Sequence, residues 1–360
     1  MKNKRISLID KYIGGIIFKA VLLSLLFLTT LLMVFFFIDD MPNIGRGSYT
    51  MSDALINLLL NIPDNLLYIF PMSALVGAIV GLGSLSSTSE MIVIRATGIS
   101  TWHIIKSVLL AILPLLIIVM MMGEWLSPVS KQYAQQRRSL AFSNGQLISS
   151  GAGLWARDGD DFIHIKHTLP EGKVEGLERY KFDQNMVLDS ITRAESGEYV
   201  GKGIWHLQNV HSTIFKADKI VNQQLDETRW KSELTLENLG MASLDPASLG
   251  IAELWRYANY LQRNQLDAGQ FLLSFWRKIL QPFSIAVMLI LGCSFVFSSL
   301  RHTGLGARTL SGILIGLAYY LVNESMGSVA IAYHMPAFAG AVMPVIVFIF
   351  LARWRLKKVN

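Results

Sequence analysis

Six apolar runs constrain this chain more than any other feature: Ile16–Ile38, Leu66–Leu85, Ile104–Gly123, Ile279–Phe297, Leu310–Ala332 and Ala337–Ala352. A helix needs about 20 apolar residues to cross a bilayer. Five runs reach or approach that length, and the sixth does so if its flanks extend it. Hydrocarbon offers no partner to an unpaired backbone group, so such runs are helices. Pro71, Pro114 and Pro344 lie within them, where packed neighbours tolerate a break in the ladder. The first run carries Lys19 and leads into Asp39-Asp40, and it is too long for the apolar core of a cleaved leader. It reads as a retained span.

The charge of the chain is segregated. Only 16% of the residues are charged and 52% are hydrophobic, against about 25% charged in a soluble domain. Residues 124–268 hold 16 Lys+Arg and 19 Asp+Glu, a net −3, while the rest of the chain carries +9. The basic balance therefore belongs to the membrane part and is not a nucleic-acid footprint. Within the charged block, Trp230, Leu234 and Leu236 share one parity, and Trp205 and Leu207 alternate with His206 and Gln208. Period two predicts strands with one buried face. Further strands are expected at Leu154–Arg157, Asp161–Lys166 and Glu178–Asp183, separated by turns at Asp158-Gly159 and Glu171-Gly172. Many short strands point to a sandwich or jelly roll. Helical connectors are expected at Pro128–Phe142 and Ile251–Gln265. The predicted architecture is an α-helical polytopic membrane protein of six spans, with an all-β, jelly-roll-like domain between spans three and four. Its parts are 1–123, 124–268 and 269–360.

Lysine and arginine set the orientation. Lys2, Lys4, Arg5 and Lys11, then Arg95 and Lys106, then Arg301 and Arg308, then Arg353, Arg355, Lys357 and Lys358 all fall on one side. The short loops of the other side offer Arg46 alone. Both termini are expected in the cytoplasm and the β domain in the periplasm of a bacterial inner membrane.

The chain carries few marks of catalysis. Gly197–Gly203 resembles a phosphate loop only superficially: its spacing is one residue short, and Gly203 stands where a hydroxyl is needed. There is no His-Glu-x-x-His and no Gly-x-Ser-x-Gly. His164 and His167, like His206 and His211, have opposite parity on strands and cannot converge on a metal. Cys293 stands alone in an apolar run, so it reads as a packing residue. No cofactor is expected on this chain.

Two polar features stand out. Glu324, beside Asn323 in span five, is either a functional intramembrane carboxylate or a hydrogen-bonded group near the outer interface. The loop Ser87-Thr-Ser-Glu90-Met-Ile-Val-Ile-Arg95-Ala-Thr-Gly98 predicts a short helix. Ser87 or Ser89 would cap it, Glu90 suits its positive end and Gly98 stops it. Its apolar body fits a groove of another protein or lies on the membrane surface.

Ser89–Gly98 also resembles the coupling-helix segment of the lipopolysaccharide-export permeases, the LptF/LptG family. Asp10-Lys11-Tyr12-Ile13-Gly14, Phe70-Pro71-Met72 and Gly123-Glu124-Trp125 are similar to that family as well. Gly153–Gly159 and Leu244-Asp245-Pro246 favour its G branch. The resemblance covers essentially the whole chain.

It implies a permease subunit of an ABC transporter that extracts lipopolysaccharide from the inner membrane toward a periplasmic bridge. The implied partners are the paralogous permease LptF, the dimeric ATPase LptB, which uses the ATP and Mg, and the single-span LptC. Coupling to the ATPase would fall to Glu90, Met91, Ile92, Ile94 and Arg95. Acyl chains would meet Phe35, Phe36, Phe70, Tyr320 and Glu324, and anionic headgroups would meet Arg46, Lys131, Arg137 and Arg138. One departure matters. Where enteric members carry lysines in and after span one, this chain has Phe36, Pro42 and Asn43, with Asp39 and Asp40 adding negative charge. The alternative is a mechanotransmission subunit that drives periplasmic work without moving lipid. A membrane-embedded hydrolase would need a nucleophile–base motif.

Overall fold

A computed structural model describes residues 8–142, 154–158, 161–168, 173–183, 187–201, 203–216, 219–232, 245–298 and 305–357. Six helices are long and apolar enough to cross a membrane. They are α1 (Leu8–Asp40), α3 (Ile62–Ser87), α5 (Thr101–Met121), α8 (Gly269–Ser298), α9 (Leu305–Ala332) and α10 (Ala337–Lys357). All six expected spans are present. The flanks do extend the short sixth run, because Arg353–Lys357 continue α10. Pro71, Pro114 and Pro344 lie inside continuous helices, as does Pro282 in α8.

The centre of the bundle is α3, which packs against α1, α8 and α9. Small residues make this possible. A side chain at Gly77 would overlap the backbone of Val21 in α1, and one at Gly316 in α9 would run into Met72. Without a hydrophobic driving force between helices in lipid, such close backbone approach supplies the packing. The main core joins Ile13, Ile17 and Val21 of α1 to Phe70, Ala74 and Leu82 of α3, Ile104 and Val108 of α5, and Ile285, Leu289 and Cys293 of α8. Cys293 is a packing residue, fully buried.

Around α3 the packing runs α1 to α5, α5 to α8, α8 to α10 and α10 to α9. No substantial packing joins α9 back to α1. Two exposed apolar stripes at helical spacing lie on these two helices: Leu23, Phe27, Leu31 and Phe35 on α1, and Leu310, Leu314, Leu317 and Leu321 on α9.

The loop after α1 leads through a one-turn 3-10 helix (Met41–Asn43) to α2 (Met51–Leu60), opened by a capping box between Thr50 and Asp53. Beyond α5, a π-type segment (Met122–Leu126) continues directly into α6 (Ser127–Phe142). The second connector is α7 (Ile251–Arg263), preceded by a 3-10 turn at Pro246–Ser248. Both expected helical connectors are thus found.

Between the two connectors the described residues of the insert are β. Strands β1 (Leu154–Asp158), β2 (Asp161–Thr168), β3 (Lys173–Phe182), β4 (Leu188–Gly201), β5 (Ile204–Lys216) and β6 (Lys219–Lys231) form one antiparallel sheet in sequential order. Among the described residues each strand pairs with its sequence neighbour, and β3 to β6 run longer than short alternating patterns suggest. The expected turns at Gly159 and Glu171-Gly172 and the tail of the last predicted strand, residues 233–237, lie outside the described residues.

One face of the sheet holds the core: Ile163, Ile165, Val174, Leu177, Ala194, Trp205, Leu207, Val210 and Trp230. The parity of that core changes along the strands. It passes from Val174 to Leu177 in β3 and from Leu207 to Val210 in β5. Both switches lie at left-handed residues, Gly176 (φ 66°) and Asn209 (φ 51°). These lie in register with Glu195 between them, because Glu175 and Leu177 pair with Ser196 and Ala194, which pair in turn with Gln208 and Val210. The Asn209 amide donates to Glu195 Oε2 at 2.7 Å. A single line of inverted pleat thus crosses the sheet and keeps both halves facing the same core.

Candidate functional site

The segment that resembles a coupling helix folds as α4 (Glu90–Ala96), between α3 and α5. Its start differs from the expected cap. Ser89 sits in the left-handed region (φ 62°) with no capping hydrogen bond from its side chain, and the Ser87 hydroxyl donates to the Ser84 carbonyl at 2.8 Å. Two hydroxyls hold Glu90 instead: Tyr12 Oη donates to Oε2 at 2.6 Å and Thr88 Oγ1 to Oε1 at 2.9 Å. The Tyr12 bond, then the Thr88 bond, lowers the Glu90 pKa below the usual carboxylate value. Tyr12 is more than 70 residues away, so sequence reasoning placed it near no site. Gly98 does stop the helix, at φ 85°, with its N–H on the Arg95 carbonyl.

The faces of α4 divide its apolar residues. Met91 is fully buried and Ile94 packs against the same core, while Ile92 and Val93 are about 60% exposed. Met91 therefore anchors α4 to its own subunit. The outward surface consists of Ile92, Val93, Ala96 and the half-buried Arg95. Beside it, Asp10 Oδ1 contacts His103 Nε2 at 2.9 Å and accepts from Ser107 Oγ, tying the start of α1 to α5.

The expected lipid contacts separate in the same way. Phe70 is fully buried in the main core. Phe35, Phe36 and Tyr320 are exposed, and Tyr320 meets Tyr68 of α3 edge to face at 5.3 Å. Glu324 pairs with Arg277 of α8, Nη1 to Oε1 at 3.2 Å, and the other end of the guanidinium donates to the Asn323 carbonyl. Of the two readings of Glu324, the one with a hydrogen-bonded neighbouring helix thus has its partner in Arg277. The signal for this was the cation pair Arg277-Lys278 abutting an apolar run.

Each headgroup cation on α6 already faces a carboxylate. Lys131 meets Asp64, Arg137 meets Asp53 and Arg138 meets Asp40, all at 2.9 Å. Arg46 donates to Asn43 at 3.0 Å. Phe36, Lys131 and Arg138 line a cavity of about 350 Å³ with Asp39, Asp40, Asp64, Asn57, Asn61 and Asn65. These pairs are partly covered, so breaking one to bind an anion forfeits on the order of 1 kcal/mol. The freed aspartates would then repel the incoming phosphate, so these cations form an internal lattice between α6 and α1, α2 and α3 before they form an anion site.

A further hub lies at the membrane end of the insert. Both oxygens of Glu124, in the π-type segment, accept from the Ile251 N–H at the start of α7, at 2.8 and 3.0 Å. The buried Lys278 of α8 donates to the carbonyls of Gly123 and Leu249. These bonds join span three, the return helix and span four at one point. Tyr260 of α7 carries the connection outward, donating to the Arg157 carbonyl of β1 at 3.2 Å.

Among the described residues, no group of three or more His, Cys, Asp or Glu converges as a metal site. The bundle is that of a multi-pass membrane protein with much exposed apolar surface on its spans.

Comparison with known proteins bears on its family. The family model for "Lipopolysaccharide export system permease LptF/LptG" matches residues 11–358. The LptG lipopolysaccharide export permease of Haemophilus influenzae is 37% identical over 355 residues, spanning 98% of this chain and 99% of that protein. The LptG protein of Escherichia coli K12 is 34% identical over 352 residues, 97% and 98% of the two chains. With six spans, a β insert after the third and a match over nearly every residue, the chain belongs to the LptF/LptG family of lipopolysaccharide export permeases.

Proposed function

We propose that the chain is a permease subunit that moves lipopolysaccharide out of the inner membrane, driven by a separate ATPase. The observation that carries this reading beyond family membership is the geometry of α4. Met91 and the Tyr12–Glu90 bond anchor it inward, and Ile92 and Val93 stand exposed at its tip. A short helix so presented fits a groove in a partner. Its rigid attachment to α1, α3 and α5 can turn a push on the helix into movement of three spans.

The paralogous permease LptF is assigned to the open side between α1 and α9, which no helix of this chain closes among the described residues. Lipopolysaccharide acyl chains would enter beside Phe35, Phe36 and Tyr320. LptC and the periplasmic bridge would meet the β insert, with both termini in the cytoplasm as the Lys/Arg bias requires. ATP and Mg are assigned to the dimeric LptB.

The test is assembly and release. Ile92→Asp with Val93→Asp places two charges on the exposed face of α4 without touching its buried side. The variant should insert and pair with the paralogous permease, yet lose the ATPase on co-purification and lose ATP-dependent lipid release from proteoliposomes. Normal assembly and release would overturn the coupling role.

A further inference from the structure

A second cavity lies among helices other than α1 and α9. It occupies about 360 Å³ between the start of α5, the later half of α8 and the end of α10, lined by Trp102, Val287, Ile290, Ile349, Arg353 and Lys357 among others. Nothing in the proposed transport path uses it. The cavity is lined by α5, α8 and α10, and the gap lies between α1 and α9, so a partner at that gap need not cover it.

Its chemistry is graded along α10. Ile349 lies at the deep end and Lys357 at the mouth, eight residues or about 12 Å of helix apart. That depth is less than half of the roughly 30 Å hydrocarbon thickness, so the slot lies within one leaflet. Val287, Ile290 and Ala352 make its walls apolar. Arg353 and Lys357, four residues apart, stand on one helix face at the mouth. Both are exposed, and neither makes an ion pair among the described residues, unlike the α6 cations. Trp102, 60% exposed at the same mouth, has the amphipathic ring that favours the headgroup level of a bilayer.

We infer that this slot is a binding site for an anionic phospholipid, with one acyl chain between α5, α8 and α10 and the phosphate on Arg353 and Lys357. Apolar walls exclude a polar ligand, and the unpaired cations select an anionic headgroup over a zwitterionic one. The slot adjoins α5 directly after α4. A lipid seated there braces the helix that follows the coupling helix, and this consequence rests on the proposed role of α4. The binding site itself does not.

Trp102 is a built-in reporter. The full chain is reconstituted in vesicles of phosphatidylcholine containing phosphatidylglycerol with brominated acyl chains. A parallel series carries the bromines on the phosphatidylcholine instead. The Trp102 signal is the difference between wild type and Trp102→Phe. Because both leaflets have the same composition, the readout does not depend on orientation or on transport. Brominated phosphatidylglycerol should quench Trp102 at a mole fraction about tenfold lower than brominated phosphatidylcholine, as expected for two cations near an anionic headgroup. Arg353→Gln with Lys357→Gln should abolish that preference while leaving the remaining tryptophan emission unchanged, since both side chains are exposed. Equal quenching by the two lipids in wild type would reduce the slot to ordinary lipid contact and overturn the inference. Absence of quenching would mean that protein fills the slot, and would overturn it too.

Discussion

The hydroxyl of Tyr12 donates to Glu90 Oε2 at 2.6 Å, joining the first turns of α1 to the first residue of α4. The bond ties α4 to span one as well as to its sequence neighbours. Tyr12→Phe should raise the Glu90 pKa back toward its ordinary value of 4.5. The sign follows from linkage: a depressed carboxylate pKa contributes stability above the unfolded value and loses it as pH falls through the folded one. Wild type should thus hold α4 tightly at neutral pH and loosen it in acid, with Tyr12→Phe already looser at neutral pH. Hydrogen exchange at residues 90–96 measures this. Identical protection in both proteins would mean that the bond does not restrain α4.

Glu90→Ala removes both hydroxyl contacts, whereas Glu90→Gln keeps an acceptor for at least one. The alanine variant should weaken ATPase co-purification or uncouple hydrolysis from lipid release, and the glutamine variant should do so less. Normal transport by Glu90→Ala would assign the carboxylate to local helix structure alone.

Orientation is checked by labelling. Val200 of β4 is exposed on the insert, and Ala96 is exposed at the end of α4. Cys293 is fully buried, which keeps the background low. An impermeant thiol reagent applied to intact spheroplasts should label Val200→Cys and leave Ala96→Cys unlabelled until the membrane is opened. The reverse pattern would invert the proposed topology.

The α6 cations are expected to behave as structural partners. A double-mutant cycle on Lys131 and Asp64, which meet at 2.9 Å with both side chains largely covered, should show a coupling on the order of 1 kcal/mol in detergent unfolding. Zero coupling, with lipid retention lost on Lys131→Ala alone, would return Lys131 to the headgroup role.

The hub at Lys278 should matter more to stability. Lys278→Ala strands the carbonyls of Gly123 and Leu249 in a buried site, a loss of about 1–3 kcal/mol per unsatisfied group. Lys278→Arg, which keeps donors, should lose less. Thermal unfolding of the purified chain decides it, and an unchanged midpoint in Lys278→Ala would mean that these bonds do not stabilise the junction.

The sequence by itself determined the six spans, the all-β character of the insert and its two helical connectors. Each follows from a local rule: twenty apolar residues must be helical in lipid, and period-two alternation must be a half-buried strand. Trp205 and Leu207 obeyed that rule residue by residue. Parity failed at Val210, because one left-handed residue, Asn209, inverts the pleat, and nothing in a hydrophobic pattern marks that. Only the tertiary structure decided which face of each helix meets protein. Met91 and Ile92 are adjacent and equally apolar, yet one is buried and the other exposed, since a helix turns about 100° per residue and α1, α3 and α5 cover just one side. Phe35 and Phe70 part in the same way. Charge follows the same logic: Lys131, Arg137 and Arg138 read as free cations along the chain, but Asp64, Asp53 and Asp40 arrive from three other elements. A Coulombic partner is chosen by distance in space, and sequence separation carries no information about it.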